Sequence, residues 1–220
     1  MNIHSIREDV GRSVVGKVSD KRESILRGAA LAFAEKGFFE SRISDVAKAA
    51  GVADGTIYLY FSNKNLLLKA LFEDAIGLFI SRAKEYLAQS EDPVEQLQHL
   101  FRLHFELLEQ NPHHALVLQI ELRQGLRNPE RFSQEVLAEY LRLIKSVIEA
   151  GQRQGVFRRD VHPALVANMS FGILDELATK WVLAQSSYPL MRDLEQVMTF
   201  FFSGILESPA LKKQKTENRK

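Results

Sequence analysis

Two groups of residues in this 220-residue chain combine type and spacing in a way that points to chemistry. Thr56, Tyr58 and Tyr60 alternate along a short segment that closes on Lys64. Hydroxyls and aromatic rings on a helix end, followed by an ammonium at the next helix start, suit base edges and a backbone phosphate. Further on, Gln119, Arg123 and Arg127 recur every four residues beside a parallel row of Leu118, Leu122 and Leu126. Residues four apart share a helix face, so an apolar stripe borders a cationic one. That arrangement fits a molecule with a hydrocarbon tail and a phosphate-bearing head, because the guanidinium fork matches phosphate oxygens. Ion pairing of these arginines with Glu121, Glu130 or Glu135 is the plainer alternative.

Other chemistries find little support. The chain has no Cys, which excludes thiolate zinc sites, cysteine nucleophiles and a disulfide framework. His113 and His114 are adjacent and diverge by about 100° on a helix. His99 and His104 stand five apart without a carboxylate at ligand spacing. Asp175 and Glu176 also diverge, and no phosphate-binding glycine loop or nucleophile motif occurs. The expectation is a non-enzyme without metal or cofactor.

The elements that position these groups are helical. Only 12 Gly and 6 Pro punctuate the chain, too few for a turn-rich β fold. Apolar residues at three-and-four spacing predict a helix over 21–36, capped by Ser19 or Asp20 and stopped at Gly37. Short helices follow over 42–50, capped by Ser41, and over 54–60. Asn63 is placed to cap a longer helix reaching about Gln89. Pro93, Pro112, Pro129 and Pro163 stand at expected helix starts, giving helices over 93–110, 113–126, 130–153 and 163–185, and a last one covers 190–206. The expectation is an all-α chain of about nine helices. Residues 1–20 form a disordered or flexible arm, 21–67 a head, 68–208 a larger body and 209–220 a basic polar tail.

Within the head, Gly51 supplies a tight turn between two short helices, a helix-turn-helix. Ile43, Val46, Ala47, Val52, Ile57 and Phe61 are placed to bury against Phe33 and Phe38. That leaves Asp54, Gly55, Thr56, Tyr58, Leu59 and Tyr60 outward, where such a motif meets the major groove. Residues 1–64 carry 10 Lys/Arg against 8 Asp/Glu, whereas 65–206 carry 14 against 18. A mildly basic head on an acidic body is compatible with DNA. The longest uncharged stretch, Val161–Leu174, falls short of the roughly 20 apolar residues of a membrane span. With no signal-peptide pattern at the start, the chain reads as cytoplasmic.

These motifs resemble the tetracycline-repressor (TetR) family of bacterial transcriptional regulators. The resemblance runs from about Lys21 to Leu68, through Phe33-Ala-Glu-Lys-Gly37, Val46-Ala-Lys-Ala-Ala-Gly-Val52 and Gly55-Thr-Ile-Tyr-Leu-Tyr-Phe-Ser-Asn-Lys64. It implies that Ser41, Arg42 and Ser44, with the Gly55–Tyr60 segment, face double-stranded DNA at a palindromic operator, and that Lys64 holds the DNA backbone. Asn65 stands where the family most often has an acidic residue. Val52-Ala-Asp-Gly-Thr-Ile-Tyr-Leu-Tyr-Phe61, Gln119-Ile-Glu-Leu-Arg-Gln124 and Phe171-Gly-Ile-Leu-Asp-Glu176 with Trp181-Val182 are further similar to FadR-type regulators of fatty-acid degradation in Bacillus and Thermus. That similarity implies a repressor released by long-chain acyl-CoA.

On this reading Phe79, Phe101, Phe105, Leu108, Leu118, Leu122 and Phe171 line a tail pocket, and Gln119, Arg123 and Arg127 meet the head group. The last two helices are apolar on more than one face, through Leu165, Met169, Ile173 and Leu177 and through the run Phe200–Phe202. Such helices need cover on more than one side, and a two-fold partner supplies it. Leu174, Trp181, Val197, Phe201 and Ile205 are the expected homodimer contacts. Alternatives are a TetR-type drug-sensing repressor of an efflux pump, or a helical lipid carrier or enzyme bearing a DNA-binding head.

Overall fold

The computed structural model describes residues 3–125 and 133–207, and the side chains of 20–121 and 133–207. Among them the chain is all-α: α1 Ile3–Lys36, α2 Ile43–Ala50, α3 Asp54–Tyr58, α4 Lys64–Leu87, α5 Pro93–Gln110, α6 Pro112–Gly125, α7 Gln134–Gln154, α8 Pro163–Leu183 and α9 Leu194–Ile205. A 3₁₀ turn, Leu190–Asp193, leads into α9.

Helix boundaries follow local chemistry. Asn63 Oδ1 accepts the Leu66 amide at 2.9 Å and starts α4. Asp92 does the same for Val94 at 2.7 Å, with Pro93 at the first position of α5. Gly37, Gly51 and Gly155 end their helices in the left-handed conformation. The first helix differs from expectation. No proline interrupts Ile3–Lys36, so α1 runs through Ser19 and Asp20 without a cap there and takes in most of the segment read as an arm.

Two cores result. The head core gathers Ile25, Ala29 and Phe33 of α1, Val46 and Ala47 of α2, Ile57 of α3, and Leu67, Leu68 and Leu71 of α4. Gly28 permits this crossing: a Cβ there would lie 2.7 Å from the Ala50 amide nitrogen. The body core is built from α4 to α9, around Leu97, Phe101, Phe105, Ile144, Leu174 and Trp181. α4 belongs to both cores, with Leu67–Phe72 in the head and Phe79, Ile80 and Ala83 in the body. α6 also joins them, because its Val117 is buried in the head core. Any displacement of α4 or α6 within the body is therefore felt by the head.

Candidate functional site

The outward face of the helix-turn-helix carries most of the residues expected there. Arg42, Ser44, Asp54, Gly55, Tyr58 and Leu59 are exposed, and Thr56 and Tyr60 are half-buried, while Ile57 between them is fully buried. Gly51, at φ 68°, turns α2 into α3, and Val52 N–H bonds back to the Ala47 carbonyl at 3.0 Å. The Arg42 amide donates to Asp45 Oδ2 at 2.8 Å, and Lys36 Nζ pairs with Asp45 Oδ1 at 2.6 Å. Lys36 first, then that amide, holds the Asp45 carboxyl below its ordinary range.

Two expectations for this face are corrected. Ser41 is buried, and its hydroxyl reaches the Ala32 and Gly37 carbonyls at 3.0 and 2.6 Å. It ties the end of α1 to the start of α2 and neither caps α2 nor faces outward. Lys64, expected on a phosphate, instead donates to the carbonyls of Phe38, Ser41 and Phe39 at 2.6, 2.8 and 3.2 Å. Its ammonium also lies 4.6 Å from the Phe38 ring centre. The carbonyls left over by the turn after α1 draw it inward.

Where head and body meet, α1, α4, α5, α6, α7 and α8 enclose a cavity of about 230 Å³. For scale, an apolar cavity of about 150 Å³ holds benzene. Its rim is polar and belongs partly to the head: Glu23 and Arg27 of α1, Asp74 of α4 and Asn111 after α5 are exposed. Arg27 pairs with Glu23, and Arg22 pairs with Asp74 at 3.0 Å, linking α1 to α4. Deeper in, Phe79, His104, Tyr140 and Phe171 form a cage of aromatic rings. Ring centres are 4.6 Å apart for Phe79 and Tyr140, and 5.7 Å for Tyr140 and Phe171. Burial lowers the His104 pKa from 6.5 to about 4, so its ring is neutral at pH 7.

Of the expected pocket residues, Phe79, Leu108, Leu118 and Phe171 line this cavity. Phe101 and Phe105 do not. Both are fully buried, and Phe101 packs 5.1 Å from Phe201 in the body core. Gln119 is also turned away, with Oε1 2.9 Å from the Thr179 hydroxyl of α8. The side chains of Leu122 and Arg123, and all of Arg127, lie outside the described residues. His104 and Tyr140 went unremarked as pocket residues in the sequence. Their signal was a histidine in the otherwise apolar α5 row of Leu97, Phe101 and Leu108.

The expected dimer contacts are corrected as well. Leu174, Trp181, Phe201 and Ile205 are buried within the chain's own core, where α9 closes over α5. An exposed apolar groove lies between α8 and α9, lined by Met169, Ile173 and Leu177 with Val197 and Phe200. Met169 is 54% exposed and Phe200 77%. Among the described residues no His/Asp/Glu group could hold a metal, and no helix is long and apolar enough to cross a membrane.

Comparison with known proteins bears on both halves. Residues 25–71 match the family model described as bacterial regulatory proteins, tetR family, and 72–204 match that of the YsiA-like protein, C-terminal region. The fatty acid metabolism regulator protein of Bacillus subtilis is 36% identical over 185 residues, which is 84% of this chain and 95% of that one. The structure of the fatty acid degradation regulator FadR from Bacillus halodurans superposes with a TM-score of 0.78 at 36% identity, over 84% of this chain and 95% of its own. FadR from Bacillus subtilis in complex with stearoyl-CoA gives 0.76 at 36% identity, over 83% and 98%.

Proposed function

The chain belongs to the tetR family of bacterial regulatory proteins, and on that premise we propose that it is a homodimeric repressor of fatty-acid degradation genes, freed from its operator by long-chain acyl-CoA. It acts in the cytoplasm and carries out no catalysis. Arg42, Ser44, Thr56, Tyr58 and Tyr60 make the DNA contacts, with α3 in the major groove. Two heads joined through the α8–α9 grooves read half-sites about 34–36 Å apart on a palindromic operator.

The observation that carries this reading is the shared wall of the cavity: Glu23, Leu26 and Arg27 come from the head, and the rest come from the body. A ligand shifts the equilibrium only through differential binding to two states. An acyl chain entering this seam presses on α1 and α4 together, so its binding energy depends on the head's orientation. Moving occupancy from 99:1 to 1:99 needs about 5.5 kcal/mol of such difference. At about 0.8 kcal/mol per methylene, roughly seven methylenes buried in the released state and not in the DNA-bound one supply it. Support from outside the chain is the stearoyl-CoA complex of a relative that aligns over most of both lengths.

Native mass spectrometry of the purified protein tests assembly and ligand class together. Two chains carrying acyl-CoA are expected. A monomer, or a dimer that takes up an aromatic drug and not stearoyl-CoA, would contradict the reading.

A further inference from the structure

The first turn of α3 carries a negative charge on the surface that meets a polyanion. Ala53, Asp54 and Gly55 are all exposed, while Ile57 behind them is fully buried. Of the two carboxylates on α2 and α3, Asp45 is engaged by Lys36 and by the Arg42 amide. Asp54 takes part in no hydrogen bond or ion pair among the described residues. Gly55 beside it is not required by the fold. Its backbone is ordinary helix, and a Cβ there would meet nothing within 4 Å. Glycine weakens a helix relative to alanine, so the chain gives up helix stability here and gains no packing in return. What the missing Cβ leaves is room for an outside surface to approach the backbone of α3.

Charge and glycine make sense together against a base edge. A recognition helix presents its N-terminal residues to the major groove. A carboxylate brought there is repelled by the phosphates, and only a donor on a base offsets that. Guanine shows the acceptors N7 and O6, and thymine shows O4 and a methyl group. Adenine has an N6 amine but sets its N7 acceptor beside it, against the second carboxylate oxygen. Cytosine N4 offers a donor with no acceptor beside it on the same base edge. We propose that Asp54 is a specificity-determining residue of the reading helix, accepting from cytosine N4 at one position of each half-site, with Gly55 admitting the base edge. This rests on α3 lying in the major groove, as proposed above.

Selection of DNA duplexes from a randomised pool by the full-length protein tests it, with wild type, Asp54→Ala, Asp54→Asn and, as a control, Tyr58→Ala. Wild type is expected to fix a cytosine at one position of each half-site, with other bases there bound about tenfold more weakly. D54A should lose the preference at that position and keep the rest. D54N should move it to adenine, whose N6 and N7 suit an amide. The same profile in wild type, D54A and D54N overturns the inference whatever their affinities, since an Asp that only favours the α3 dipole acts on all sequences alike. If D54A instead relaxes a position that wild type fills with another base, the cytosine assignment falls. An unchanged D54A profile beside a changed Tyr58→Ala profile confines the failure to Asp54. If Tyr58→Ala also selects the wild-type profile, the placement of α3 in the groove fails and takes this inference with it. Asn matches Asp in shape, so D54N carries the test should D54A not fold.

Discussion

An ammonium 2.6 Å from the Phe38 carbonyl and 2.8 Å from that of Ser41 is a fastening inside the head, not a free cation. Lys64→Met removes the donor and strands those carbonyls, which should cost about 1–3 kcal/mol of stability in urea unfolding. The salt slope of DNA binding by the folded variant should stay at the wild-type value. Full stability with a slope reduced by about 1 would return Lys64 to a phosphate. In the sequence Lys64 was legible as important and misread as to partner. A closing Lys at a helix start looks the same whether carbonyls or phosphates face it, and the carbonyls come from residues 23–26 positions away. His104 makes a different residue-scale prediction. Its native pKa of about 4 lies below the ordinary 6.5, so between these values the unfolded chain binds a proton that the native one does not. The stability this histidine contributes is whole above pH 6.5 and is lost as pH falls toward 4, about 3 kcal/mol in all. Unfolding of wild type and H104F at stepped pH should differ in slope across that window. Parallel curves would place the ring in water.

At the scale of elements, the crossing of α1 and α2 hangs on Gly28. A methyl there meets backbone, the Ala50 amide at 2.7 Å and the Val46 carbonyl at 2.9 Å, so the helices must part. Gly28→Ala should destabilise the head by about 1–3 kcal/mol despite its gain in helix propensity. A variant as stable as wild type in thermal melting would mean the crossing is looser than 2.7 Å implies. Helix starts were readable wherever a residue acts on its own backbone, as Asn63 does for α4 and Pro93 for α5. Gly28 was not readable, because its requirement is imposed by a helix more than fifteen residues away. The start of α1 was missed for a related reason. Ser19 and Asp20 are good caps in type, yet nothing before them breaks a helix, and a capping residue inside a continuous helix caps nothing. Leu190–Asp193 likewise joined the last helix in the sequence reading, though it winds as a separate 3₁₀ turn.

For the whole molecule, the sequence showed two regions and too much apolar surface at the C-terminal end, but not which apolar face was spare. Phe200, Phe201 and Phe202 step around one helix, and only packing against α5 and α7–α8 decides that Phe201 and Phe202 turn inward. Phe200→Glu should therefore give folded monomers with weakened operator binding, whereas Phe201→Glu should unfold the body. Sedimentation separates the two, and a Phe200→Glu dimer would move the interface elsewhere. The joint between regions is more telling than either core. α4 and Val117 of α6 reach into the head, and Arg22 and Arg27 of the head stand beside Asp74 at the cavity rim. A ligand in that seam would touch the helix-turn-helix head directly, through Leu26 and Arg27. If filling the seam ejects the DNA, titrating stearoyl-CoA into the operator complex should show it as a fall in DNA anisotropy. Stoichiometric release by stearoyl-CoA is expected, and none by free CoA at the same concentration; a complex that persists with stearoyl-CoA bound, or that free CoA dissolves equally well, would rule the seam out as the switch.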